Sequence, residues 1–255
     1  MPTWSIRPYG GTVSDARGLL AVEQQALGEC TYQAEELAAR LARPEQRVWL
    51  AEAQGEVVGF LSGLETWGLS GPRLEADLLA VRPEWRRQGI GTALLMALRR
   101  QAEGPQVVRG IVNLHNPASG QAFSRAGFHP SDGAFDLLLY RIRGHVPRGL
   151  PDWGGSVHSL RDRSEAAQFA AVAHPTLTAA QVWDSAQQPG VLLLVAEREG
   201  VITGGIELLE VHTVLYSGLW IESVLPAIPN GKALSALIAA SVEAAKERGL
   251  DEVGC

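Results

Sequence analysis

The stretch VRPEWRRQGIGTALL (Val81–Leu95) joins a strand-like end to a helix start through a proline turn, two arginines and two glycines. The first turn of any helix leaves its amides without intrahelical acceptors. Glycine at 89 and 91 removes side chains that would block close approach or resist positive φ. The partial positive charge of the helix N-terminus adds to Arg86 and Arg87. The segment reads as a cradle for a phosphate or pyrophosphate; the alternative is a glycine pair that merely permits a tight strand-to-helix turn. A Walker loop requires lysine before its serine or threonine, whereas Thr92 follows Gly91. A dinucleotide fingerprint requires glycine three residues after its second glycine, and that position holds Leu94.

Outward from this segment the chain alternates helical and strand periodicities. Ser14 to Leu27 carries one apolar stripe, with Ser14 as an N-cap, and a second helix follows Thr31. VWLAEAQGEVVGFLSGLE (Val48 to Glu65) reads as a hairpin turning at Gly55. RLEADLLAV (Arg73 to Val81) is a strand with Glu75 and Asp77 on one face and Leu74, Ala76 and Leu78 on the other. A helix then runs to about Gly104, followed by a strand in VVRGIVNL, a short helix from Pro117 to Ala126 and a last strand in AFDLLLYRI. GHVPRGLPDWGG (Gly144 to Gly155) suits neither element and reads as a linker.

Beyond the linker the pattern recurs. LAEAQGEVVG (Leu50 to Gly59) aligns with VAEREGVITG (Val195 to Gly204) at an offset of 145, and the same offset pairs Gly104 with Gly249. This is an internal duplication. It predicts two domains, 1–145 and 156–255, the second ending where the first has Gly110. A sheet cut short there needs a cover: the first domain's C-terminal strand region, or a second copy in a homodimer.

Composition bounds the partners. With 22 Lys and Arg against 28 Asp and Glu the formal net charge is -6, so no global basic field recruits nucleic acid or an anionic membrane, and any anion must be held locally. Cys30 and Cys255 offer no metal-ligand spacing, which argues for no bound metal and for a reducing cytoplasm. There is no apolar signal core and no run long enough to span a membrane.

Arg86-x-x-Gly89-x-Gly91 at a strand-to-helix junction resembles the signature of the GCN5-related N-acetyltransferase superfamily. IRPYGGTVSDARGLLAVEQQA (Ile6 to Ala26) is similar to that family's opening strand and helix, and NPASGQAFSRAGF (Asn116 to Phe128) to its second motif. The resemblance spans about Thr3 to Arg143. It implies an α/β fold, a mixed central sheet flanked by helices, here duplicated with a truncated second copy. It also implies that acetyl-CoA lies between two splayed parallel strands, without a metal. The backbone from Arg86 through Gln88, Gly89, Ile90 and Gly91 to Thr92, with Arg87, would hold the pyrophosphate. The backbone of Leu79, Ala80 and Val81 would meet the pantetheine arm and the thioester carbonyl, Asn116 would bond the same arm, and Phe123 would flank the sulfur.

Acetyl transfer to a small-molecule or peptide amine requires a neutral nitrogen, hence a base. Glu75 occupies the position from which relatives supply a glutamate, and Asp77 is the second candidate; either moves the proton, or both only bind the acceptor's positive charge. Phe123 stands where many relatives have a tyrosine that protonates the leaving thiolate, so water, Tyr140 or His115 would substitute. In the second copy Val224 and Pro226 align with Val81 and Pro83, Ala233 with Gly91, and neither arginine survives. That copy reads as degenerate. The competing expectations are a non-catalytic acyl-CoA-binding module and, third, a nucleotide-binding protein using the same loop.

Overall fold

The computed structural model describes residues 3–28, 32–101, 107–131, 134–142, 153–226 and 231–255. The chain divides into two compact units, one of residues 1–66, 72–134 and 213–215, the other of residues 67–71, 135–212 and 216–255.

In the first unit, β1 (Trp4–Pro8), β2 (Gln46–Ala53), β3 (Glu56–Thr66), β4 (Arg73–Val81) and β5 (Val107–Gly110) form a sheet in that order. The β2–β3 turn passes through Gln54 and Gly55, both at positive φ, the backbone a two-residue hairpin needs. α1 (Val13–Leu27) begins not at Ser14 but one turn-residue earlier, because the Thr12 hydroxyl accepts from the Asp15 amide and so acts as the N-cap. α1 and α2 (Ala34–Leu41) cover one sheet face with Leu19, Val22 and Leu37 against Leu50 and Phe60. α3 (Ile90–Arg100) and α4 (Pro117–Arg125) cover the other, where Ile90, Leu94 and Leu98 pack on Leu61 and Leu74.

β4 is interrupted. Its partners on β3 run Ser62 to Leu78 and then Gly63 to Ala76, so Asp77 is the extra residue of a β-bulge. The bulge corrects the simple alternation expected for this strand: Leu78 packs with the α1–α2 core, while Leu79 and Val81 turn to the α3 side with Ala76. β5 runs parallel to β4, from Arg73–Val107 to Ala76–Gly110, and stops there. It is shorter than the run VVRGIVNL suggested, and beyond Ala76 β4 has no partner on that side among the described residues.

In the second unit, β6 (Leu139–Arg141), β7 (Ser156–Ser159), β8 (Val191–Arg198), β9 (Val201–His212), β10 (Ser217–Leu225) and β11 (Glu252–Gly254) form a sheet in the order β6-β11-β10-β9-β8-β7. α5 (Arg163–Ala173) and α6 (Ala179–Ala186) pack on one face, α7 (Gly231–Glu247) on the other. The duplication is legible in the irregularities. Positive φ recurs at Glu199 and Gly200, a register shift recurs beside Thr203, and Glu222 is the bulged residue of β10, each 145 positions after Gln54, Gly55, Val58 and Asp77. Gly218 pairs Glu252 as Arg73 pairs Val107.

Two expectations change. β6 lies in AFDLLLYRI, expected as the last strand of a 1–145 domain, yet it bonds β11 antiparallel, from Arg141–Glu252 to Leu139–Gly254. The cover for the truncated sheet is therefore the chain's own strand. Tyr140 moves with it into the core of the second unit. The loop alignment also shifts: the Cβ position of Gly59 faces the Ala80 carbonyl and Val81, and that of Gly204 faces the Leu225 carbonyl and Pro226. Pro226 thus stands where the first copy has Val81, not Pro83. Most of the expected linker, 143–152, and Gly104 lie outside the described residues, as do residues 227–230. Among the described residues no helix is long and apolar enough to cross a membrane.

Ladder alternation turns the Tyr140 amide toward β11, since the amides of Leu138 and Ile142 donate to Cys255 and Asp251. Tyr140→Pro is expected to cost on the order of 2 kcal/mol. Hydrogen exchange checks the assignment: amides of β9 and β10 lose protection and those of β2 and β3 keep theirs. On α1, Glu23 is 1% exposed and its Oε1 has no hydrogen-bond partner. Burial pushes its carboxyl up from 4.5 to about 7. The unfolded chain releases this proton first, so stability falls as pH rises from about 4.5 to about 7. Glu23→Gln is expected to remove that fall, with a gain on the order of 2 kcal/mol at pH ~8 and little at pH ~4, read by urea unfolding.

Candidate functional site

The first unit opens where β4 and β5 part. Arg82 donates its amide to the Val58 carbonyl on β3. In an antiparallel ladder successive amides alternate in direction, so those of Val81 and Leu79 point away from β3, to the side that β5 has left. Ala80 lies out of phase with them: its side chain is buried in the α1–α2 core. It is the one member of the expected backbone trio whose amide faces β3.

After Val81 a short 3-10 turn, Pro83–Trp85, leads into an exposed loop. The Arg86 amide bonds the Pro83 carbonyl, and its side-chain Nε donates to the Val81 carbonyl at 3.1 Å. Arg87 at φ 61° and Gly89 at φ 84° curl the backbone so that α3 begins at Ile90 with no side-chain cap. Among the described residues, none of the amides from Arg87 to Thr92 has an intramolecular acceptor; the first α3 bond inside the helix is Ala93 to Gly89. Ile90 itself is buried, so only its backbone serves the loop, and the Gln88 side chain donates back to the Glu84 carbonyl. A Cβ at Gly91 would meet Leu79 at 3.6 Å and Ala122 at 4.0 Å. The free amides, the helix terminus and the two exposed arginines suit an extended diphosphate.

Across the opening, α4 starts at Pro117 with Asn116 as N-cap, its Oδ1 accepting from the Ser119 amide at 3.1 Å. The backbone amide of Asn116 donates to the Asn113 carbonyl, which leaves its side-chain Nδ2 for a ligand. Phe123 lies over the end of β5: a Cβ at Gly110 would stand 2.7 Å from the Phe123 ring, which is braced edge-on by Phe128 at 5.0 Å. His115 is exposed on the approach to α4, and Tyr140 belongs to the second sheet.

Both candidate carboxylates lie on β4. Glu75 sits directly across from Arg109 on β5, and the Arg109 Nε reaches its two oxygens at 2.8 and 3.0 Å. Asp77, in the bulge, is held differently. The Ser62 hydroxyl at 3.2 Å and the Val214 amide at 3.4 Å, both within this unit, donate to the same oxygen, Oδ2. Among the described residues Oδ1 has no partner. Desolvation outweighs these two bonds and pushes the carboxyl up to about 6, with a further push from the Glu75 charge. Sequence spacing found both carboxylates; it held no signal for Arg109, Ser62 or Val214, which reach them from other elements.

In the second unit Pro226 has no amide where Val81 has one, and four residues, 227–230, stand between it and α7 where the first unit has the eight of 82–89. Elsewhere in that unit His158, Glu165 and Glu197 gather within 4.8 Å, but Arg161 bonds both carboxylates and supplies the positive charge there.

The family model for the acetyltransferase (GNAT) family matches residues 18–128, which contain β4, its loop, α3 and α4. Among solved structures, a tandem GNAT protein from the clavulanic acid biosynthesis pathway is similar over 99% of this chain and 89% of its own, at 20% identity and a TM-score of 0.57. A GCN5-related N-acetyltransferase from Sphaerobacter thermophilus is similar over 98% and 85%, at 20% identity and a TM-score of 0.60. A GCN5-related glucosamine N-acetyltransferase region in a fungal multi-domain GH3 beta-N-acetylglucosaminidase matches 100% of this chain at 16% identity and a TM-score of 0.60, and this chain spans 35% of its length. These identities support a shared fold, two mixed sheets in tandem. The match to the acetyltransferase (GNAT) family model lies in residues 18–128, and the likeness of the whole chain to these structures is one of fold.

Proposed function

We propose that the first unit is an N-acetyltransferase that moves the acetyl group of acetyl-CoA directly to a primary amine, with both substrates bound together. The observation that carries this is the run of unpaired amides, Leu79 and Val81 on β4 and then Arg87 to Thr92, that leads from the bulge at Asp77 to the N-terminus of α3. When bound, acetyl-CoA supplies an electrophilic thioester carbonyl and a thiolate leaving group. The loop amides with Arg86 and Arg87 hold the diphosphate, and the amides of Leu79 and Val81 bond the arm and polarise the carbonyl. The Asn116 side-chain amide donates to the arm, and Phe123 packs beside the sulfur.

Asp77 rather than Glu75 is the base in this mechanism. Its Oδ1 is unbonded and its carboxyl, raised to about 6, is ionised yet basic at neutral pH. Glu75, engaged by Arg109, contributes charge. The ammonium gives one proton to Asp77 Oδ1, directly or through one water; the neutral nitrogen attacks the carbonyl carbon, the carbon–sulfur bond breaks, and the second nitrogen proton leaves to solvent. Phe123 has no hydroxyl to give, so solvent protonates the thiolate. The same feature favours a second reading, an acyl-CoA-binding module without turnover.

Release of free CoA over a panel of amines, beside calorimetry with acetyl-CoA, separates the two. Binding with no release from any amine would support the module. For the enzyme, Asp77→Asn is expected to lower kcat by about 10²-fold or more with acetyl-CoA affinity nearly unchanged. The wild-type rate rises with pH through about 6, as Asp77 loses its proton, then levels; the Asn variant lacks this limb. Gly91→Val, which places branched bulk against Leu79 and Ala122, is expected to weaken acetyl-CoA binding about tenfold or more.

A further inference from the structure

We propose that the segment 213–215 completes the acceptor end of the first unit's site, with Val214 as a positioning residue: its backbone amide and the Ser62 hydroxyl hold Asp77 by Oδ2 and leave Oδ1 to the incoming amine. This rests on the acetyl-transfer reading above. In the chain these residues connect β9 to β10, yet they belong to the compact unit that contains β4.

The segment is fixed without help from Asp77. The Val214 side chain is 1% exposed and sits in the core cluster that holds Leu19, Leu37 and Phe60. The Arg40 guanidinium of α2 donates to the Thr213 carbonyl at 3.2 Å, the Tyr32 hydroxyl to the Leu215 carbonyl at 3.4 Å, and the Leu215 amide to the Thr213 hydroxyl at 3.1 Å. Beside these anchors, the 3.4 Å bond from the Val214 amide adds little to the hold on the segment. Its consequence falls on the other partner. Two donors from separate elements converge on one oxygen, which sets the plane of the carboxyl and spares its second oxygen.

The duplicate shows what the same parts do in a closed site. Leu69 and Glu207 stand 145 positions from Val214 and Ser62. Within the second unit the Leu69 amide bonds Glu207 Oε1 and the Ser223 hydroxyl bonds Oε2. Glu207 is 1% exposed, with a donor on each oxygen, as a structural acid requires. An amide from this connection therefore meets a carboxylate in both units. In the first unit it leaves Asp77 half-buried, with Oδ1 unbonded among the described residues, which suits proton transfer.

The charged group that acts on Asp77 is Glu75 of the same strand; Ser62 and Val214 bring neutral donors, and Arg40 and Tyr32 meet the segment at its carbonyls. A donor on Oδ2 favours the ionised carboxyl, so its removal moves the rising limb of the rate to higher pH. CoA release by the full-length chain is followed against pH for Val214→Pro, which has no amide at 214, and for Val214→Ala, which keeps it. In the proline variant the limb is expected about one pH unit above the wild-type limb, with the plateau kcat about tenfold lower or more and acetyl-CoA affinity nearly unchanged. Val214→Ala is expected to keep the wild-type limb, and Ser62→Ala to move it in the same direction as the proline. If circular dichroism shows that Val214→Pro is unfolded, a backbone ester at 214, made with the α-hydroxy analogue of valine, takes its place. A limb that stays at the wild-type pH without the amide, or moves equally in Val214→Ala, overturns this inference alone. If the wild type releases CoA from no amine, the acetyl-transfer reading fails and this inference falls with it.

Discussion

The separation of β4 from β5 after the Ala76–Gly110 rung is the constraint on which the first unit depends. A parallel sheet normally pairs its amides on both sides of a strand, and every amide left over must find another partner or a ligand. Here two features hold the strands apart. Gly110 lets the Phe123 ring sit on the backbone, which closes the strand's end with a side chain. The bulge at Asp77 reverses the phase of β4, so the residues beyond it aim their side chains at the α3 face and their unpaired amides into the gap.

The duplicated unit acts as an internal control. It keeps the hairpin turn, both bulges and the parallel register, which shows that these belong to the packing of the fold. It has Pro226 without an amide where the first unit has Val81, a shorter connection to its helix, and the rung Trp220–Gly254 where the first unit has Glu75–Arg109. The core accommodates that rung because Trp220 replaces the ion pair with apolar contact on Gly254. The bulges recur in both units, since removing one would flip every following side chain to the wrong face.

Much of this was legible before any coordinates. The strand at Arg73–Val81, the hairpin through Gly55 and the short helix after Asn116 follow from local periodicity and turn chemistry, and the 145-residue repeat from self-similarity at a fixed offset. The bulge was not, because RLEADLLAV alternates smoothly and the extra residue exists only relative to β3. Nor was the sheet to which AFDLLLYRI belongs: a strand's pattern states that it has an apolar face, not which neighbour covers it. Tyr140 sits in the second sheet for that reason.

The sequence alone placed Glu75 and Asp77 on one face of a strand leading into a glycine-bearing loop, because side-chain alternation and glycine freedom are local properties. Only the tertiary structure decided their different surroundings. Arg109 meets Glu75 across a parallel rung 34 residues away, while Ser62 and Val214 enclose Asp77 and raise its carboxyl. Charge and desolvation are set by what surrounds a group in space, and two acids one alternation apart in the chain come to have unlike surroundings.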